Sequence, residues 1–265
     1  MPAPLTQEHN RSADDFDEAP MTDWPLPLWI AHRGAGKLAP ENTLAAFRLG
    51  AQHGYRAFEC DVKLSRDGRP FLLHDATLER TAGAEGLAGA LDWAELSRLD
   101  AGGWHSPAYA GEPLASLAAI ARFILANRLA LNIEIKPTPG QERLTGQVVA
   151  REVLRLWADA ERAPLLSSFE VDALRGAQEA APQLPRGLLL EALRPGWLDE
   201  ARHLACRAVI TDYQLMDRPT LDAIHAAGMK AVVYTVNEEA VARGLIAAGI
   251  DGLITDAVDR FSPGR

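Results

Sequence analysis

Phe58-Glu59-Cys60-Asp61-Val62 is the stretch on which the fold turns. In a strand, residues two apart point to the same side. Glu59 and Asp61 therefore share one face, and Phe58, Cys60 and Val62 share the other. Such a strand borders a polar cleft above a barrel or a sheet. Three further stretches have the same character: Ile30-Ala31-His32-Arg33-Gly34, Leu73-His74-Asp75 and Ile133-Glu134-Ile135-Lys136. Carboxylates converging without a compensating cation repel one another and shift their pKa values upward. A bound divalent metal is the simplest relief for Glu59, Asp61 and Glu134, and three oxygen ligands suit Mg²⁺ or Ca²⁺ better than zinc. Two histidines beside a hard metal, with Arg33 and Lys136 as a basic pair, fit chemistry on phosphate esters.

Outward from these pieces, short β-rich runs alternate with helical ones, as in a parallel α/β protein. Strands are expected over 28–31, 57–63, 131–135, 165–169, 187–191, 208–211, 231–236 and 252–255. The Ser65-Arg66-Asp67-Gly68 turn folds a hairpin arm, 70–74, back on the second strand, because Asp-Gly accepts the positive φ of a tight turn. Pro40-Glu41-Asn42-Thr43 opens the first helix, with Asn42 or Thr43 as its cap. Further helices are expected over 114–127, 145–158, 171–180, 196–204, 219–227 and 238–248. With the hairpin arm set aside, eight strands alternating with helices give an α/β protein of the closed (β/α)8 TIM barrel type. Only ten residues follow Thr255, so the eighth helix is missing or a stub. An open doubly wound sheet is the alternative, but no Gly-x-Gly-x-x-Gly fingerprint follows the first strand. Between barrel strand 2 and helix 2 lies an irregular insertion, 75–113, with six glycines and one short helix over 91–99. A segment of that length reads as a lid or substrate loop. His32, Glu59, Asp61, Glu134, Ser168, Tyr234 and Asp256 all fall at or near the C-terminal ends of strands, the rim where such barrels hold their active sites.

Composition narrows the alternatives. A chain of 265 residues, 48% of them hydrophobic, can bury a sizeable core. Its net charge of −9 argues against a nucleic-acid footprint, which needs a basic face. Two cysteines, Cys60 and Cys206, form no close spacing and point to a reduced compartment rather than a disulfide framework. No apolar run is long enough to cross a bilayer. Residues 1–25 are polar, acidic and proline-rich without a charged start and apolar core, so they read as a flexible lead and not a secretory signal. The expected organisation is that lead followed by one barrel, 26–265, in a cytoplasmic protein.

At its motif residues the sequence resembles the glycerophosphodiester phosphodiesterase family. The matching pieces are His32-Arg33-Gly34, Pro40-Glu41-Asn42-Thr43, Glu59-x-Asp61, Ser65-x-Asp67-Gly68, His74-Asp75, Leu78-x-Arg80-Thr81, Glu134-x-Lys136, Ser167-Ser168-Phe169, Thr235-Val236-Asn237 and Gly249-Ile250-Asp251-Gly252-Leu253-Ile254-Thr255-Asp256. Any one piece is weak, whereas ten in family order are specific. Residues 36–46 and 185–190 are similar to the cytosolic bacterial branch that works beside a glycerol-3-phosphate ABC importer, which implies a functional link to such an importer. The resemblance implies a barrel carrying the family's insertion and a metal-dependent hydrolysis of glycerophosphodiesters to sn-glycerol 3-phosphate and an alcohol. Many members have Trp before Thr-Val-Asn. Here the position is Tyr234, which offers the substrate a wetter wall.

Roles follow from what a phosphodiester demands: neutralised oxygens, a deprotonated nucleophile and a protonated leaving alkoxide. Glu59, Asp61 and Glu134 are the metal ligands. Read blandly, they are solvated acids at strand ends. His32 and His74 form the acid–base pair, with the order of acid and base left open. The nucleophile is water or the glycerol 2-hydroxyl, and proximity favours the internal route through a cyclic phosphate. Arg33 and Lys136 clamp phosphate, although a purely structural ion pair is an equal reading of Lys136. Tyr234 lines the glycerol side, and Trp104 in the insertion covers the pocket. Asn42 reads as a helix cap, Glu41 as a support, Asp75 as an orienter of His74, and Ser168 as a phosphate donor or a local turn bond. Two rivals remain: an aldolase-like barrel using Lys136 as a Schiff base, and a noncatalytic phosphodiester-binding module.

Overall fold

The computed structural model describes residue 24, residues 26–261 and residue 263. Apart from Trp24, the lead expected over 1–25 lies outside them. The elements run β1 (Trp29–Ala31), α1 (Leu44–Gln52), β2 (Ala57–Leu64), β3 (Pro70–Leu72), α2 (Trp93–Leu96), α3 (Leu117–Ala126), β4 (Ala130–Ile135), α4 (Glu142–Leu156) and β5 (Leu165–Ser168). They continue as α5 (Val171–Ala180), β6 (Arg186–Leu190), α6 (Trp197–His203), β7 (Ala208–Asp212), α7 (Arg218–Ala226), β8 (Lys230–Tyr234), α8 (Glu239–Ala248) and β9 (Gly252–Thr255). Neighbouring strands follow the order β1-β9-β8-β7-β6-β5-β4-β2, and a β1–β2 pairing closes the ring into an eight-stranded parallel barrel. β3 lies antiparallel on β2, outside the ring.

The period-two pattern read in the sequence separates two layers. Phe58, Cys60 and Val62 of β2 pack outward with Ile120 of α3 and Val149 and Val153 of α4. The opposite face points into the barrel, where Ile30, Ala57, Leu165, Leu189, Ile210, Val232 and Ile254 fill the lower half. Along β1 and β2 the inward residues turn from apolar to polar as the strand rises: Ala57 gives way to Glu59 and Asp61, and Ile30 to His32. All of β2 is buried, because one face meets helices and the other the barrel interior.

Local chemistry sets several boundaries. Thr43 caps α1 by accepting from the Ala46 amide, and Asn42, the other cap candidate, does something different that is described below. Gly68 takes φ +76 in the β2–β3 turn, as the Asp-Gly signal requires. On the outer layer α4 and α5 cross closely at Gly146, where a Cβ would stand 1.9 Å from the Ala173 carbonyl oxygen. No helix follows β9 among the described residues. Phe261 instead stacks on Trp29 with ring centroids 4.3 Å apart and accepts at its carbonyl from the Tyr55 hydroxyl. The insertion carries its own small core, with Phe71, Leu73, Leu78, Ala88, Leu96 and Leu114 packed together. Its helix is shorter than expected, a single turn whose Asp92 and Glu95 form a capping box.

Candidate active site

At the C-terminal rim a cavity of about 220 Å³ opens, lined by His32, Arg33, Glu59, His74, Glu134 and Lys136 on its polar side and by Phe169, Leu189 and Tyr234 opposite. Asp61 lies just behind it, fully buried. β2 and β4 pair in a register that sets Asp61 against Glu134 and Glu59 against Asn132. Consequently one oxygen from each of Glu59, Asp61 and Glu134 lies within 4.8 Å of the others. Buried acids that close together need compensation, and the protein supplies part of it. Arg33 donates its backbone N–H to Glu59 Oε2 at 3.1 Å and sets its Nε 3.1 Å from Asp61 Oδ2. Lys136 Nζ bonds Glu134 Oε1 at 3.0 Å and stands 4.0 Å from Asp61 Oδ1.

That compensation is incomplete. Glu59 Oε1 and Asp61 Oδ1 are buried without a hydrogen-bond partner, a costly arrangement for acceptors removed from water. Burial pushes Glu59 well above the ordinary carboxylate range, and Asp61 and Glu134 push it further. Burial, then Asp61, raises Glu134 to about 7. Asp61 goes the other way: against its burial, Arg33, His74, Lys136 and Asn42 hold it low. Three hard oxygen donors converging on one point, two of them with orphaned atoms, fit a divalent cation of the Mg²⁺ or Ca²⁺ kind.

The two imidazoles are held alike. His32 Nδ1 donates to Asp256 Oδ1 at 2.7 Å, and His74 Nδ1 donates to Asp75 Oδ1 at 2.7 Å. Both carboxyls sit below their ordinary range: against its burial, Asp256 is lowered chiefly by His32, and Asp75 is lowered first by Arg80. Each therefore accepts as an anion, which places the ring proton on Nδ1 and leaves Nε2 for the cavity. His32 Nε2 lies 3.8 Å from Glu59 Oε2, beside the acids. Burial moves the His74 pKa down.

The remaining expectations fare differently. Tyr234 lines the apolar wall, its hydroxyl donating to the Leu190 carbonyl at 3.1 Å, and its ring meets Phe169 edge to face. Ser168 makes the local turn bond, its Oγ accepting from the Glu170 amide at 3.1 Å, and it also donates across to the Ile135 carbonyl on β4 at 2.6 Å. Trp104 does not cover the pocket: its ring is on the outer surface and its Nε1 donates to the Ala101 carbonyl. Asn42 is not a cap. It takes φ +60, donates Nδ2 to Asp61 Oδ2 at 2.7 Å and accepts the Asp61 amide. Two residues of this neighbourhood had no assigned part in the sequence reading. Asn237 cradles Asp256 by accepting its backbone N–H and donating to Oδ2. Lys63, buried on the inward face of β2, donates to the carbonyls of Lys136 and His74.

With this geometry in place, likeness to known proteins can be weighed. A model of the glycerophosphoryl diester phosphodiesterase family matches residues 32–260. The chain belongs to that family. A glycerophosphodiester phosphodiesterase of Caldanaerobacter subterraneus is 32% identical over 237 residues, covering 86% of this chain and 93% of the relative. Among solved structures, an Oleispira antarctica phosphodiesterase in complex with the product sn-glycerol-3-phosphate superposes with a TM-score of 0.83 at 34% identity, covering 89% of this chain and 95% of that one. A glycerophosphodiester phosphodiesterase of Agrobacterium tumefaciens gives 0.77 at 30% identity, covering 89% and 99%. Membership brings with it the hydrolysis of glycerophosphodiesters, and the barrel is the fold these structures share. No described helix is long and apolar enough to cross a membrane.

Proposed function

We propose that the chain is a metal-dependent, two-histidine hydrolase that releases sn-glycerol 3-phosphate and an alcohol from small glycerophosphodiesters. One observation carries this reading: two imidazoles, each with Nδ1 tied to a carboxylate, flank a single buried group of acids with orphaned oxygens. Glu59, Asp61 and Glu134 would hold Mg²⁺ or Ca²⁺, and the ion would supply Lewis-acid neutralisation of phosphate charge. Arg33 and Lys136 add fixed positive charge at the same wall, so the anion is drawn in and oriented before any bond changes. Tyr234 and Phe169 face the glycerol portion, and with the Tyr234 hydroxyl bonded to the Leu190 carbonyl the wall is less wet than the tyrosine alone suggests.

One Nε2 takes the proton of the attacking hydroxyl while the other gives a proton to the departing alkoxide. The attacking group is the glycerol 2-hydroxyl, already bonded two carbons from the phosphate oxygen, so closing a five-membered cyclic phosphate needs no second molecule to be captured. The alcohol leaves, and water then opens the ring with the two imidazoles in exchanged roles. This reading also places the protein in the cytoplasm, in functional association with a glycerol-3-phosphate importer.

A Schiff-base reading of Lys136 fares worse. Against its burial, Glu134 and Asp61 hold its ammonium charged, and a charged amine is no nucleophile. Assay of glycerol 3-phosphate release from glycerophosphocholine tests the proposal. EDTA abolishes turnover, added Mg²⁺ or Ca²⁺ restores it, and His32→Ala and His74→Ala are folded but at least about a hundredfold slower. Near-normal turnover by either variant would end the acid–base assignment.

A further inference from the structure

The Leu78-x-Arg80-Thr81 motif has no part in the chemistry above, yet its arginine occupies an unusual place. Arg80 lies in the segment after β3. Buried Leu78 and Thr81 flank it, and a turn in which the Ala82 amide bonds the Leu78 carbonyl fixes its backbone. Its guanidinium makes four hydrogen bonds to two carboxylates at once. Nε and Nη2 reach the Asp75 oxygens at 2.6 and 3.0 Å, while Nη1 and Nη2 reach the Glu41 oxygens at 2.7 Å each.

Each of those carboxylates also holds a group that lines the cavity. Asp75 Oδ1 is the acceptor for His74 Nδ1, and Glu41 Oε1 accepts Arg33 Nη1 at 3.0 Å. A continuous chain of charged hydrogen bonds thus runs His74–Asp75–Arg80–Glu41–Arg33. It joins the segment that carries His74 to the β1–α1 loop that carries Arg33. Arg33 itself sits at φ +50, a left-handed conformation that a residue with a Cβ adopts only when its surroundings hold it there. A planar fork makes four such bonds in two directions, whereas a lysine, with three donors on one nitrogen, could not give both carboxylates paired contacts.

We propose that Arg80 is a positioning residue that fixes the separation of the His74 imidazole from the Arg33 guanidinium. In this way the insertion's first turn sets the spacing of the acid–base group and the phosphate contact. The inference rests on the roles given to His74 and Arg33 under the proposed function.

Its test is steady-state release of glycerol 3-phosphate from glycerophosphocholine, with thermal unfolding measured on every variant. Arg80→Ala is expected to lower kcat about 10- to 100-fold, the effect of a small misplacement of reacting groups, while the unfolding temperature moves by only a few degrees. Arg80→Lys is expected to recover less than about a third of the lost rate, since three donors on one nitrogen cannot replace the paired contacts to both carboxylates. When Glu41→Gln and Asp75→Asn are already present, adding Arg80→Ala is expected to change kcat by less than about twofold, the non-additivity of one network. A kcat for both Arg80 variants within about twofold of the native enzyme overturns the proposal, whatever happens to the unfolding temperature. So does an Arg80→Ala effect that stays undiminished in the double variant. His74→Ala and Arg33→Ala run beside them: if those keep full activity, the reading of the site itself fails, independently of Arg80.

Discussion

Asn42 shows how much rests on a single side chain. Its amide closes a two-way clamp on Asp61, donating to the carboxylate and accepting from the backbone of the same residue. A carboxylate so gripped cannot rotate away when its neighbours change, and the partners of metal-ligating groups commonly matter nearly as much as the ligands. Asn42→Ala should therefore raise the Mg²⁺ or Ca²⁺ concentration for half-maximal activity about 10- to 100-fold, read from activity titrations on metal-stripped protein. An unchanged midpoint would mean that Asp61 holds its position without help. The sequence could not assign this role. Asn42 and Thr43 are adjacent, both are good caps, and only one can fill the position. Once Thr43 takes it, an asparagine tolerant of left-handed backbone is free to reach back toward β2. Arg80 was illegible for a related reason: its partners, Glu41 and Asp75, lie in different loops.

Among the elements, the strands place the chemistry and the loops below them secure the strands. At the lower end of β8 and β9, Asp251 accepts from Lys230 Nζ, His225 Nε2 and the Ala231 amide, all at 2.8 to 2.9 Å. Against partial burial, those bonds hold its carboxyl below the ordinary range. The sign follows from linkage. A lowered native pKa adds stability at pH values above the unfolded-state pKa, and that stability fades as pH falls through the native one. Asp251→Asn should cost about 1–3 kcal/mol at neutral pH, and the gap to the native protein should close below about pH 4, as measured by urea unfolding across pH. A gap that persists unchanged at low pH would show the loss to be one of shape rather than charge. Element order was the part of the molecule most open to reading, because period-two and period-3.6 patterns survive in sequence. Boundaries shifted by a few residues. In the insertion, a helix expected over 91–99 is one turn, Trp93–Leu96.

For the molecule as a whole, barrel closure turns four separated pieces of sequence into one site. β1, β2 and β4 stand side by side at the closing seam, and β3 folds back on β2 to bring His74 to the same rim. The residues read from the sequence as His32, Arg33, Glu59, His74, Glu134, Lys136 and Tyr234 all line one cavity, with Asp61 directly behind. That convergence was legible because inward-pointing polar residues at the upper ends of barrel strands have only one place to go. What sequence could not convey is the connective layer: Asp256 on His32, Asn237 on Asp256, and Lys63 beneath the two loops. Each of these contacts joins different strands or the loops that follow them, partners that no short stretch of sequence pairs.

The central claim is that Glu59, Asp61 and Glu134 form one cation site on which the activity depends. Calorimetric titration of metal-stripped protein with Mg²⁺ or Ca²⁺ tests it most directly, with Glu59→Gln, Asp61→Asn and Glu134→Gln titrated alongside. One cation per chain is expected for the native protein, with affinity reduced at least about tenfold in each variant and the far-ultraviolet circular dichroism unchanged. Native affinity retained by all three variants, or undiminished hydrolysis of glycerophosphocholine by the stripped protein, would contradict it.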